Sequence, residues 1–122
     1  MAPNKKQNLK KSIKFAQIIR KLKTPQLIAD FAEQVDDSCL SNFYRIVANL
    51  IHSEGFSENP ILRKKIPKLK KVMSPFKKEW LRVTQKSTQN PKGKKKFFLQ
   101  QTGQGNILQI VTSVLPLLLA LL

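Results

Sequence analysis

The sequence predicts an all-α protein: a small bundle of short helices with a basic disordered linker and a hydrophobic C-terminal tail. Three observations lead there. Apolar residues recur at spacings of three and four through the middle of the chain. No run alternates at period two for long enough to make a sheet. Charge falls into blocks. Residues 1–23 carry eight Lys/Arg and no acid, and residues 24–62 carry Arg45 against six acids. Residues 63–96 carry fourteen basic side chains and Glu79, and residues 97–122 carry no charge. The expected organisation follows these blocks. Residues 1–11 are a basic disordered arm, 12–84 a small helical domain, 85–104 a basic linker and 105–122 the hydrophobic tail.

The first expected helix covers residues 12–23, with Phe15, Ile18, Ile19 and Leu22 on one stripe and most of the lysines off it. Thr24-Pro25 reads as an N-cap followed by proline at the first helical position. Leu27, Ile28, Phe31, Ala32 and Val35 then form a second helical face. Asp36-Asp37-Ser38 interrupts it, and Ser38 suits the cap of a third helix over about 39–54. There Leu40, Phe43, Val47, Leu50 and Ile51 make the stripe, and Gly55 supplies a stop. Asn59-Pro60 opens a short helix. Pro67 and Pro75 are expected to break the stretch from 60 to 84 into short pieces, because proline lacks the N–H that a helix interior needs. Leu69, Val72, Met73, Phe76, Trp80 and Val83 supply its apolar side. Residues 85–96, rich in Gln, Lys, Ser, Thr and Asn, have no apolar face on which to fold alone.

The chain has 122 residues and a net charge of +16, enough for one domain. One cysteine (Cys39) and one histidine (His52) rule out an internal disulfide, a His-pair metal site and a Cys-rich metal knuckle. No Gly-rich phosphate loop precedes a helix. These residues point to a non-enzymatic protein without cofactor or metal. The charge calls for a polyanionic partner, either nucleic acid or an anionic membrane surface.

Lys outnumbers Arg nineteen to four. Lys is a point charge and reads base edges less well than the bidentate Arg fork, so phosphate contact without sequence choice is expected. The candidate contacts to double-stranded DNA are Arg63, Lys64, Lys65, Lys68, Lys70, Lys71, Lys77 and Lys78. Lys94, Lys95 and Lys96 extend that track, and Lys5, Lys6, Lys10, Lys11 and Lys14 form a second arm. Trp80, Phe76 and Tyr44 sit within apolar stripes and are expected in the core more than on bases. The acidic stretch from 30 to 58 should avoid DNA and suits self-association with basic segments of neighbouring copies.

The tail runs through Ile107, Leu108, Ile110, Val111, Val114, Leu115, Leu117, Leu118, Leu119, Leu121 and Leu122. Sixteen helical residues span about 24 Å at about 1.5 Å each, short of the roughly 30 Å hydrocarbon core. Pro116 further interrupts it. Membrane contact and burial against protein both stay open.

The junction before the tail is distinctive. Lys92-Gly93-Lys94-Lys95-Lys96 meets Phe97-Phe98-Leu99-Gln100-Gln101, then Thr102-Gly103-Gln104-Gly105, and later Leu115-Pro116-Leu117-Leu118-Leu119. This resembles the adenovirus core protein X family, the precursors of the mu peptide. It is similar also to small basic proteins of Polinton (Maverick) elements and adintoviruses. The resemblance implies a virion core protein that condenses DNA in the host nucleus. It implies a cut by an adenain-type maturation protease as well. Gln101-Thr102-Gly103-Gln104-Gly105 fits that protease's pattern, and the implied scissile bond is Gln104–Gly105. The residues here depart from the family in placing glycines on either side of Gln104 and in a Lys-rich rather than Arg-rich body. Alternative readings are a membrane-active or membrane-anchored basic protein, and a minor capsid cement protein that docks on other capsid proteins.

Overall fold

The computed structural model describes residues 5–52, 59–85 and 91–122. All regular structure among them is helical. The elements are α1 (Lys5–Leu22), α2 (Pro25–Gln34), α3 (Asp37–His52), α4 (Pro60–Met73), α5 (Lys77–Gln85), α6 (Pro91–Gly103) and α7 (Asn106–Leu121), with one 3-10 turn at Ser74–Phe76 before α5.

Helix starts follow the capping chemistry of the sequence. The Thr24 hydroxyl accepts from the Leu27 N–H at 3.4 Å, ahead of Pro25 at the first helical position. Asn59 Oδ1 accepts from the N–H groups of Ile61 and Leu62 at 3.0 and 3.3 Å, ahead of Pro60. Each cap satisfies N–H groups that have no partner inside the helix. The third helix starts at Asp37, earlier than the Ser38 cap would place it. The expected stop at Gly55 lies outside the described residues.

Four helices form the centre. In cyclic order they are α1, α7, α4 and α3, each packed on its two neighbours. The diagonal pairs, α1 with α4 and α3 with α7, make at most slight contact with each other among the described residues. The remaining elements cover this square. Helix α6 touches α2, α3, α5 and α7, while α5 packs on α3.

Four expectations are corrected by this arrangement. The 105–122 segment is not an appendage. It is α7, and Ile107, Ile110, Val111, Val114, Leu117 and Leu118 are fully buried in the one core, with Leu115 close behind. The 85–104 segment is not an unstructured linker from Pro91 onward. It is α6, and Phe97 and Phe98 carry it into the core; residues 86–90 lie outside the described residues. The basic arm is helical from Lys5, so α1 begins well before residue 12. Finally, Pro67 does not break α4. Pro67 sits on the exposed face, while Leu62, Ile66, Leu69 and Met73 on the opposite face are buried. Burial of that face outweighs the one hydrogen bond that proline removes. The expected interruption near Pro75 is there, as the 3-10 turn.

Aromatic side chains join the tiers. Phe15 of α1 lies 5.1 Å from Phe43 of α3, and 5.7 Å from both Phe31 of α2 and Phe98 of α6. Trp80 of α5 meets Tyr44 edge-on at 4.7 Å, and its Nε1–H donates to the Tyr44 carbonyl at 3.1 Å. Such tilted and edge contacts suit the ring quadrupoles.

Among the described residues one buried polar group lacks a partner. Ser12 on α1 is fully buried and its hydroxyl makes no hydrogen bond. An unsatisfied buried hydroxyl costs about 1–3 kcal/mol. Ser12→Ala removes that cost and improves helix propensity. The expected result is a gain of about 1–2 kcal/mol, read as a melting temperature several degrees higher. A lower melting temperature would show that the hydroxyl is bonded.

Candidate nucleic-acid interface

The helical period sorts α4 into two faces. Leu62, Ile66, Leu69 and Met73 point inward. Lys64, Pro67, Lys68 and Lys71 fall on the opposite side, with Arg63 and Lys70 on one flank and Lys65 on the other; all seven are exposed. Lys64 and Lys71 are two turns apart, about 10 Å along the axis at about 1.5 Å per residue. A helix that is basic on its outer face and both flanks matches a major groove about 12 Å wide, with phosphates along either edge. Beyond the 3-10 turn, Lys77, Lys78 and Arg82 of α5 are exposed as well. Together α4 and α5 display nine exposed Lys/Arg against one exposed acid, Glu79.

Helix α1 repeats the pattern. Ile13, Phe15, Ala16 and Ile19 are buried. Lys10, Lys14 and Lys21 lie on the outer face, with Lys11 and Arg20 beside them, all exposed. Lys5 and Lys6 open this helix, but their side chains lie outside the described residues. Arg20, Lys21 and Arg82 join these faces, beyond the basic residues that the sequence singles out. The signal for Lys21 was its place on the row of Lys10 and Lys14, since four plus seven residues returns to the same face.

The Lys94–Lys96 stretch behaves differently. It belongs to α6, which packs beside the acidic α2. Lys95 is partly buried and its Nζ donates to the Glu33 carbonyl at 3.0 Å; Lys96 is exposed, and the Lys94 side chain is outside the described residues. Asp30, Glu33, Asp36 and Asp37 are exposed on α2 and at the start of α3. Among the described residues no basic side chain forms an ion pair with a carboxylate. The positive charge of α1, α4 and α5 is therefore available to an external anion.

The aromatic candidates for base stacking are in the core: Trp80 and Tyr44 are 0 % exposed. The side chain of Phe76 lies outside the described residues. Burial pushes the Tyr44 phenol far up. It pushes the Cys39 thiol up as well; Asp36 adds to that shift and Lys11 opposes it. Cys39 thus stays a protonated thiol near neutral pH, a poor nucleophile.

The junction forms a tight turn between two helices. Gln101 and Thr102 are buried, whereas Gly103, Gln104 and Gly105 are exposed. Gly105 adopts φ +81, a left-handed conformation that favours glycine. Its N–H donates to the Thr102 carbonyl at 3.0 Å, and Asn106 Nδ2 donates to Gln101 Oε1 at 2.7 Å. The helices on either side meet at a bend of 102°. The Gln104–Gly105 bond is thus at the surface but folded, and a protease that takes extended backbone must first unwind the turn. Among the described residues no single helix is long and apolar enough to cross a membrane; α6 and α7 reach that length together only as this bent pair.

Comparison of the chain with protein-family models, with curated proteins and with solved structures finds no match.

Proposed function

We propose that this chain is a non-enzymatic protein that binds double-stranded DNA without choosing sequence, condensing it as a virion core protein would. The observation that carries this reading is the α4–α5 face, with nine exposed Lys/Arg and no ion pair among the described residues to neutralise them. A side-chain set dominated by lysine suits phosphate contact rather than base readout. The viral setting, a virion assembled in the host nucleus with capsid proteins and a maturation protease as partners, rests on the resemblance of the junction and tail. A cut at Gln104–Gly105 would leave α7 held by its packing, so cleavage alone would change the linkage of the core without freeing the peptide. Burial of α7 supports packing within protein over membrane contact for the tail.

The test is a titration of the full chain onto unrelated duplexes at several salt concentrations. With about six to ten phosphates neutralised, log K is expected to fall with log salt at a slope of about −5 to −9. Affinity should be the same for every duplex. Binding that is absent near physiological salt, or that picks one sequence, would overturn the reading.

A further inference from the structure

The two basic faces point away from each other. In the central square α1 and α4 occupy opposite corners, with α7 and α3 between them. Each turns its apolar stripe inward and its lysines outward. Neighbouring helix axes lie about 8–10 Å apart, so the diagonal axes are about 11–14 Å apart. Each helix has a radius of about 5–6 Å with side chains, which puts the outer surfaces about 20 Å or more apart. A straight duplex lying against Lys64, Lys68 and Lys71 cannot also reach Lys10, Lys14 and Lys21 on the far side.

We propose that one molecule bridges two DNA duplexes, one held by Lys64, Lys68 and Lys71 of α4 and the other by Lys10, Lys14 and Lys21 of α1. This rests on the DNA-binding reading above and adds to it a geometry for condensation. Cross-linking neighbouring duplexes draws DNA together without neutralising most of its phosphates. That suits a chain whose net +16 is modest for a condensing polycation and whose described acids, Glu79 of α5 apart, lie on α2 and around the start of α3. The α4 face has more charge around it than the α1 face, so the two duplexes bind with unequal affinity.

The experiment captures a fluorescent duplex on a surface-bound duplex of unrelated sequence through the full chain, and weighs the soluble complex by mass photometry. The expected species contains one protein and two duplexes. Lys10/Lys14/Lys21→Gln should retain tight binding to a single duplex and lose capture of the second by tenfold or more. Lys64/Lys68/Lys71→Gln should lose capture as well and should weaken single-duplex binding. All six side chains are exposed, so circular dichroism should show both variants folded; the mass of the unaltered complex stands as a test without them. Single-duplex binding with no capture, or capture that requires two proteins per pair of duplexes, would overturn the bridge and leave the DNA-binding reading intact. No binding to either duplex would overturn both.

Discussion

Removing residues 105–122 is expected to unfold the chain. Helix α7 places seven large apolar side chains in the core, from Ile107 to Leu118. Burying each contributes about 1.5–3 kcal/mol, or roughly 10–20 kcal/mol for the helix. A domain of this kind has about 5–15 kcal/mol of stability in all. The loss is larger still because α1 and α4 both pack on α7, and its removal exposes their apolar faces. The measurement is circular dichroism and thermal melting of a chain ending at Gln104. Loss of the cooperative transition is the expected outcome. A truncated chain that melts cooperatively near the temperature of the full one would show that the tail is a separable appendage, and would return membrane insertion to consideration. The same variant separates binding from folding. A disordered Lys-rich chain still attracts phosphate, so DNA binding that survives truncation would report charge alone, whereas single-molecule bridging requires the opposed faces and should disappear.

The tail and the linker show how far the sequence was legible. Stripes of three- and four-residue period on α1, α2 and α3 were visible because their inner positions are mostly aliphatic or aromatic, and the caps at Thr24 and Asn59 marked the starts of α2 and α4. Helix α6 was hidden because its inner face mixes residue types. Phe97 and Phe98 are followed at the next turn by Gln101 and Thr102, which are buried as well. Their polar atoms are satisfied locally: the Thr102 hydroxyl donates to the Phe98 carbonyl at 2.8 Å, and Gln101 accepts from Asn106. A polar residue bonded to its own turn carries no apolar signal in the sequence. Helix α7 was hidden for the opposite reason. It is apolar on nearly every side, and such a helix suits a protein core and a bilayer equally. Which of the two it meets depends on whether amphipathic partners of matching length lie elsewhere in the chain, and here α1 and α4 supply them. The lysines were legible as a charge but not as two faces. Their division into opposed surfaces depends on which helices sit diagonally, a tertiary fact that spacing does not encode.

Trp80→Ala is expected to cost about 3–5 kcal/mol of stability, the usual range for an aromatic deleted from a packed core, and to leave DNA binding by the folded protein unchanged. Trp80 is 0 % exposed, meets the rings of Phe43, Tyr44 and Phe97, and donates to the Tyr44 carbonyl. Its removal leaves a cavity among α3, α5 and α6 and releases a buried hydrogen bond. The melting temperature should fall by roughly 10–25 °C for a chain of this length. Stacking on bases would predict something else: about 1–3 kcal/mol lost from binding for each base stacked, with little change in melting. The chain has one tryptophan, so its fluorescence reports on this site alone. Emission should be that of a buried indole and should stay unquenched when DNA is added. Trp80→Phe keeps most of the volume and loses the hydrogen bond, so it should melt above the alanine variant, and it should bind DNA with the salt slope of the unaltered chain. Quenching by DNA, or weaker binding by the folded phenylalanine variant, would bring the indole out of the core and onto the nucleic acid.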